Sequence, residues 1–506
     1  MINARLKFAT GPAMTMLLLT GCMVGPKYHV PSTSATATAP PITYKESTTQ
    51  FQDTEGWKVA QPQDAMLHGK WWEIYNDPEL NALEEKLNID NQNIKQFFEN
   101  FMEARTLVAQ ARSQLYPTVG TSPSYQAAQS SANLTNSSNA NTGKASSVGS
   151  LPFDVSWAPD LWGRVRNTIH EQQYNAQLSA ADLENERLTE QASLATFFFE
   201  IRGQDALQRL LNDTVEADKK ALDLTRAGYE TGIDDRISMV EAEATLQAVQ
   251  SQAINLGVAR AQFEHAIAVL VGANPSQFSI PVKPLLTDPP PVPVGMPSAL
   301  LERRPDIAAA ERNMAAANAQ IGIAYAAYYP SLSLSASYGY ESSNFSHFFN
   351  FPSRFWSVGP SLSETIYDGG LRRAEVNQFI TTYNADVASY RQTVLTAFQQ
   401  VEDSLSSVRI LSQQILKQQQ AERSFEEALK LETARYETGV DPYLLVVTAQ
   451  TTLLTNQQTL ANLHVQEVMA SVQLIEALGG GWDRTQLPTP AQVSKKLDKT
   501  EATIEK

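Results

Sequence analysis

The chain has 506 residues, 42% of them apolar and only 18% charged, with a formal net charge of -15. That excess of acid excludes a phosphate-binding role on nucleic acid, which needs a basic face. The single cysteine, Cys22, excludes an internal disulfide or a cysteine-based metal site.

Arg5 and Lys7 precede an apolar run ending Met16-Leu17-Leu18-Leu19, and Thr20-Gly21-Cys22 follows. Leu19-Thr20-Gly21-Cys22 looks like a lipobox. It implies a signal peptide over 1–21, cleavage before Cys22 and a covalent lipid on that residue, with no other cofactor. No later stretch offers the roughly 18 apolar residues of a membrane helix, so the expectation is a lipid-anchored chain. Residues 22–70, rich in Pro, Ser, Thr and Ala, read as an extended, poorly packed arm. Structure is expected to begin at Trp71-Trp72, with Asp77-Pro78 starting a helix.

From about 79 to 115 the pattern is helical, and it stops at Tyr116-Pro117. A β-hairpin is expected over 117–162, with a Ser/Asn-rich loop from Ser130 to Ser150 and period-two alternation at Phe153-Asp154-Val155-Ser156-Trp157. A long helix then spans 163–228, a turn follows, and a second helix covers 236–272. Seven prolines between 281 and 297 make 274–297 a linker.

The order then repeats over 298–482. A helix starting near Pro305 ends at Tyr329-Pro330, and a hairpin covers 331–368. In Ser331-Leu332-Ser333-Leu334-Ser335-Ala336-Ser337-Tyr338-Gly339-Tyr340 the serines take one face and the apolar residues the other. A long helix over 371–436 carries an apolar seam from Val376 to Ile415 at a mean spacing near 3.5, as in a coiled coil. A turn and a helix over 443–478 follow, and 483–506 reads as a polar, mobile tail.

The two turns are near copies, Gly228-Tyr229-Glu230-Thr231-Gly232-Ile233-Asp234 and Arg435-Tyr436-Glu437-Thr438-Gly439-Val440-Asp441, with Gly232 and Gly439 207 residues apart. Each unit therefore reads as helix, strand, loop, strand, long helix, tip, helix. Four amphipathic strands cannot close a barrel in lipid, where the smallest have about eight. A trimer would supply twelve. The competing reading makes the hairpins soluble caps on a coiled-coil lipoprotein without a pore. The motifs of metalloproteases, nucleotide-binding loops and serine hydrolases are missing from the sequence, and an enzyme is not expected.

Leu301-Glu302-Arg303-Arg304-Pro305-Asp306-Ile307, the paired Tyr-Pro stops, Asp160-Leu161-Trp162-Gly163-Arg164, the two Tyr-Glu-Thr-Gly tips and Leu478-Gly479-Gly480-Gly481-Trp482 resemble the TolC-like outer-membrane factors. The acylated start with Gly25-Pro26 and Tyr28 is similar to the lipoprotein branch typified by OprM. The resemblance implies a homotrimer in outer-membrane lipid, with a twelve-stranded β-barrel continued by a long periplasmic α-helical barrel. It implies the exit duct of a tripartite efflux pump for drugs or other toxic small molecules. The partners would be a periplasmic membrane-fusion adaptor and an inner-membrane transporter, usually of the resistance-nodulation-division class. Opening would be an iris-like movement at the tips. Adaptor contact would then fall on Tyr229, Thr231, Gly232, Asp234, Asp235, Tyr436, Thr438, Gly439 and Asp441. Leu444 matches a constricting leucine, Thr448 stands where relatives have an acid, and Thr451 where an arginine is usual. Glu241, the first-unit counterpart of Thr448, would supply the gate's acidity instead.

Overall fold

The computed structural model describes residues 23–32, 44–47, 69–129, 131, 145–284, 290, 292 and 300–495. Cys22, the signal peptide 1–21 and the last residues of the tail lie outside them. Trp71–Tyr75 form a single 3-10 turn, and α1 (Pro78–Asp90) starts behind it. Asp77 accepts from the amides of Glu79 and Leu80 at 2.8 and 3.2 Å, and Pro78 occupies the first helical position, where its missing N–H costs nothing.

The continuous helix expected over 79–115 is instead two, because Asn91 interrupts it. Its amide closes α1 on the Leu87 carbonyl, and its side-chain oxygen caps α2 (Gln92–Ser113) by accepting from Ile94 at 3.0 Å. Its side-chain amide also donates to the Leu270 carbonyl at 2.9 Å.

Leu270 is the last residue of α4 (Arg236–Leu270), so α2 and α4 meet end to end at Asn91 alongside α3 (Arg164–Glu230). The second unit has the same joint. Arg304, just before α5 (Pro305–Ala326), donates at 2.9 Å to the carbonyl of Ala477, the last residue of α7 (Tyr443–Ala477). Alongside that pair runs α6 (Leu371–Glu437). The long helices have 67 residues each, about 100 Å at 1.5 Å per residue.

The main core sits midway along α3. Phe198, Leu194 and Ile201 are fully buried there, against Trp71, Trp72 and Tyr75 from one side and Val468, Val472 and Ile475 of α7 from the other. Ion pairs at its border join distant segments: Arg202 to Glu79 at 2.6 Å, and Asp205 to Arg260 at 2.7 Å.

The sheet is a set of antiparallel neighbours: β1 (Thr118–Thr121) and β2 (Ser124–Gln129) both pair with β3 (Ala145–Trp157), then come β4 (Ser331–Ser342) and β5 (Arg354–Ser363). Thr121 faces Phe153 and Ser124 faces Ser150, so the register runs unbroken past Ser122-Pro123. Proline cannot donate to the ladder and divides one edge strand into two pieces. Register sorts the side chains by face. Phe153, Tyr338 and Trp356 form one row, Val155, Ala336 and Val358 the next, and Trp157, Leu334 and Pro360 a third. The alternate rows carry Asp154, Ser337 and Ser357, then Ser156, Ser335 and Gly359. In the single chain the three apolar rows are largely open, with Trp356 75% exposed.

Two further expectations are corrected. The arm is not poorly packed where it is described: Tyr28 donates to the buried Glu311 carboxylate at 2.9 Å, and Tyr44 is buried among Val401, Leu405 and Leu474. The amides of Lys45 and Glu46 donate to Glu402 at 2.8 and 3.0 Å, and Glu46 pairs with Arg409 at 2.7 Å. Nor is the tail mobile from residue 483. Arg484 reaches Glu311 at 2.8 Å, Gln177 donates to the Pro488 carbonyl at 2.8 Å, and Val493 is buried against α2 and α3. Local composition hides both, because the groups that hold these segments lie hundreds of residues away.

Candidate functional site

The candidate site is the pair of helical ends remote from the sheet. At the first, the carbonyl of Gly228 accepts from Ile233 at 2.8 Å and Asp234 at 3.1 Å, and Gly232 takes φ 78°, a left-handed conformation that closes a helix end. Thr231 donates its hydroxyl back to the Ala227 carbonyl at 2.8 Å. Asp235 caps α4, accepting from the Ser238 amide at 2.8 Å, and these hydrogen bonds hold its carboxyl below its ordinary pKa.

The second end repeats the turn with different chemistry. Gly439 has φ 73°, and Val440 donates to the Arg435 carbonyl at 2.9 Å. Thr438 bonds the Ala434 carbonyl at 3.0 Å. Asp441 pairs with the Arg435 guanidinium, which keeps the carboxyl below its usual range. Pro442, in place of a polar cap, opens α7.

The two ends are tied to each other. The Tyr436 hydroxyl donates to the Asp234 carboxylate at 2.8 Å. Burial first, and that negative partner second, hold the phenol above its ordinary pKa. Its ring tilts against Tyr443 with centroids 5.2 Å apart. Tyr443 is buried with Leu222, Ala242 and Val446, which draw from α3, α4 and α7. Its phenol is pushed up to about 12, by burial and then by the Asp218 and Glu241 carboxylates.

The matched tyrosine of the first end behaves otherwise: Tyr229 is 44% exposed. With Ile233, Val440 and Leu444 it leaves apolar side chains in solvent at the tips. Thr448 is also exposed and donates its hydroxyl to the Leu444 carbonyl at 2.8 Å; Thr451, Thr452, Thr455 and Thr459 do the same one turn back. This flank of α7 is thus a neutral row of methyl groups and satisfied hydroxyls. Glu241 lies half-buried on α4, its carbonyl accepting from Thr245 at 2.8 Å, and neither it nor Thr448 pairs with an arginine among the described residues.

Sequence reasoning passed over Asp218 and Gln450. Asp218 is buried on α3, accepts from the Gln450 amide of α7, and has its other oxygen without a partner among the described residues. Burial raises its pKa and the bond from Gln450 opposes that shift. The available signal was an acid and an amide at positions facing across two helices, which only the pairing of α3 with α7 reveals.

The model of the outer membrane efflux protein family matches residues 85–273 and again 296–480. The chain belongs to the outer membrane efflux protein family. Each matched stretch takes in one tip, one long helix and the strands of its own unit. Among relatives, the outer membrane protein OprJ of Pseudomonas aeruginosa is 32% identical over 454 residues, covering 87% of this chain and 92% of that one. The solvent efflux pump outer membrane protein SrpC of Pseudomonas putida is 29% identical over 496 residues, covering 95% of this chain and 100% of that one. The solved outer-membrane channel OprN superposes with a TM-score of 0.80 at 25% identity, over 91% of this chain and 100% of that one.

Proposed function

We propose that this outer-membrane efflux protein is the exit duct of a tripartite pump, working as a homotrimer. Each chain contributes its sheet to a twelve-stranded barrel and its long helices to a periplasmic barrel. The observation that carries the reading is the register of β3, β4 and β5, which sets three successive apolar rows, from Phe153-Tyr338-Trp356 to Trp157-Leu334-Pro360, against serine-rich rows. A sheet with one apolar and one polar face, open at both edges, is completed in lipid only by closing with other copies around water. The internal duplication is supported by the paired long helices of 67 residues and the paired shorter helices of 35.

The periplasmic mouth is the tip pair. The Tyr436–Asp234 bond fixes one hairpin to the other, and the exposed apolar side chains around Tyr229 and Ile233 offer an adaptor something to cover. The partners are a membrane-fusion adaptor and an inner-membrane transporter of the resistance-nodulation-division class, and the cargo is toxic small molecules such as drugs or solvents. A lipid on Cys22 is supported by its neighbour. Met23 packs where a Cβ on Gly163 would stand, its Cα 2.9 Å from that point, at the junction of sheet and α3. An acyl group one residue earlier would therefore start from a segment held at the membrane end.

The test is conductance in planar bilayers. The protein is expected to insert as a trimer with low resting conductance that rises when adaptor is added, and Tyr436→Phe is expected to raise the resting level. A trimer that inserts yet never conducts, with adaptor present, refutes the duct. An unchanged closed state in Tyr436→Phe refutes the tip link as a brace.

A further inference from the structure

The connection between β4 and β5 carries four phenylalanines, Phe345, Phe348, Phe349 and Phe351. Nothing in the duct reading uses them. Tyr340 stands opposite both Leu151 and Arg354, in the apolar rows of the sheet. Its ring meets Phe349 edge-on at 5.4 Å, Phe349 meets Phe348 at 5.1 Å, and Phe348 stacks on Phe345 at 5.9 Å. Phe348 also lies 3.2 Å from where a Cβ on Gly149 would stand, and Gly149 shares a face with Leu151, two residues on. The connection is therefore folded down over the apolar face, not across the serine face.

Phe348 is buried in this collar, while Phe345, Phe349 and Phe351 are 81%, 70% and 80% exposed. Arg354, in the same row as Tyr340, holds its guanidinium 3.5 Å over the Phe351 ring. It makes no ion pair with a carboxylate among the described residues, and the adjacent acid, Glu341, points to the opposite face beside Ser150. A cation stacked on an aromatic ring keeps its planar fork of donors free for an anion, and phosphate fits that fork in two-pronged fashion. Exposed phenyl rings around it favour an apolar surrounding, as aromatic residues do at membrane interfaces.

We propose that Arg354 and the phenylalanine collar form a lipid site, in which the guanidinium binds a phosphate of an acyl lipid headgroup and Phe345, Phe349 and Phe351 enter the boundary with its acyl chains. The site rests on the reading that the apolar rows face lipid. It lies at the strand ends of that face, continuous with it, and its one unpaired charge is complementary to the headgroup. Free phosphate offers nothing to the rings.

Full-length trimer in detergent is titrated with bisphosphorylated lipid A, with the same lipid stripped of its phosphates, and with inorganic phosphate as competitor, and bound lipid is counted by native mass spectrometry. The wild type is expected to prefer the phosphorylated lipid by about tenfold, as one desolvated charged hydrogen bond supplies. Arg354→Gln is expected to erase the preference while leaving trimer and conductance intact, and Phe349→Ser with Phe351→Ser to weaken both lipids alike. Loss of the preference in the wild type, its survival in Arg354→Gln, or equal competition by inorganic phosphate overturns the site. A wild-type trimer that does not insert into bilayers overturns the membrane reading itself, whereas one that inserts and conducts without the preference overturns only the lipid site.

Discussion

Tyr229 and Tyr436 occupy the same place in two near-identical turns, and one is in solvent while the other bonds Asp234. The difference comes from neighbours. Tyr436 has Tyr443 to lean on, where the first turn has Arg236 at the corresponding place, 207 residues earlier. The turn glycines are alike: both have positive φ and nothing within 4 Å of where a Cβ would stand, so substitution meets backbone strain alone. Gly439→Val is expected to cost about 1–2 kcal/mol locally. It should reduce drug export in a susceptibility assay while trimer yield is unchanged; normal export at normal protein level contradicts it. The glycines and their turns were legible because their chemistry is local. The cross-bond was not, since no pattern in one turn names its partner in the other.

At the scale of elements, the long helices, the tips and the strongest strand could be read from periodicity and from proline and glycine punctuation. Along the seam of α6, Val376, Tyr390, Val394, Val401, Leu405 and Ile415 are buried. What periodicity missed was the joint at Asn91, because an asparagine inside a helical pattern looks like any exposed polar residue until α4 arrives to meet it. The same holds for Glu311. Its buried carboxylate gathers Tyr28 at 2.9 Å, Arg312 at 2.6 Å and Arg484 at 2.8 Å, uniting arm, α5 and tail. Removing one member of such a buried ionic cluster typically costs about 3–5 kcal/mol. Glu311→Leu is therefore expected to lower the thermal unfolding midpoint and to make both arm and tail susceptible to limited proteolysis. Unaltered protection of either segment contradicts this latch.

At the scale of the whole molecule, the sheet has two unpaired edges among the described residues, at β1/β2 and at β5, and one largely open apolar face. Backbone groups left open in hydrocarbon cost several kcal/mol each, which is why the proposed duct takes its closure from other copies. Leu334 and Ser335 are adjacent on β4 and point to opposite faces. Leu334→Lys is expected to cost about 2–4 kcal/mol per chain if it meets lipid near the midplane, against little for Ser335→Lys in a watery interior. Heat-resistant trimer on gels should then be lost for the first and kept for the second. Equal tolerance of both contradicts the assignment of faces.

The sequence by itself determined most local conformations: where the long helices run, where glycine and proline end them, and which strand residues share a face. These follow from backbone sterics and from spacing along one segment. Only the tertiary structure decided which segments meet. It laid the arm and tail against α5, set α2 on the end of α4, tied Tyr436 to Asp234 and folded the phenylalanine collar onto the apolar rows. Such contacts join groups up to hundreds of residues apart, and their stability depends on shared burial that no single segment encodes.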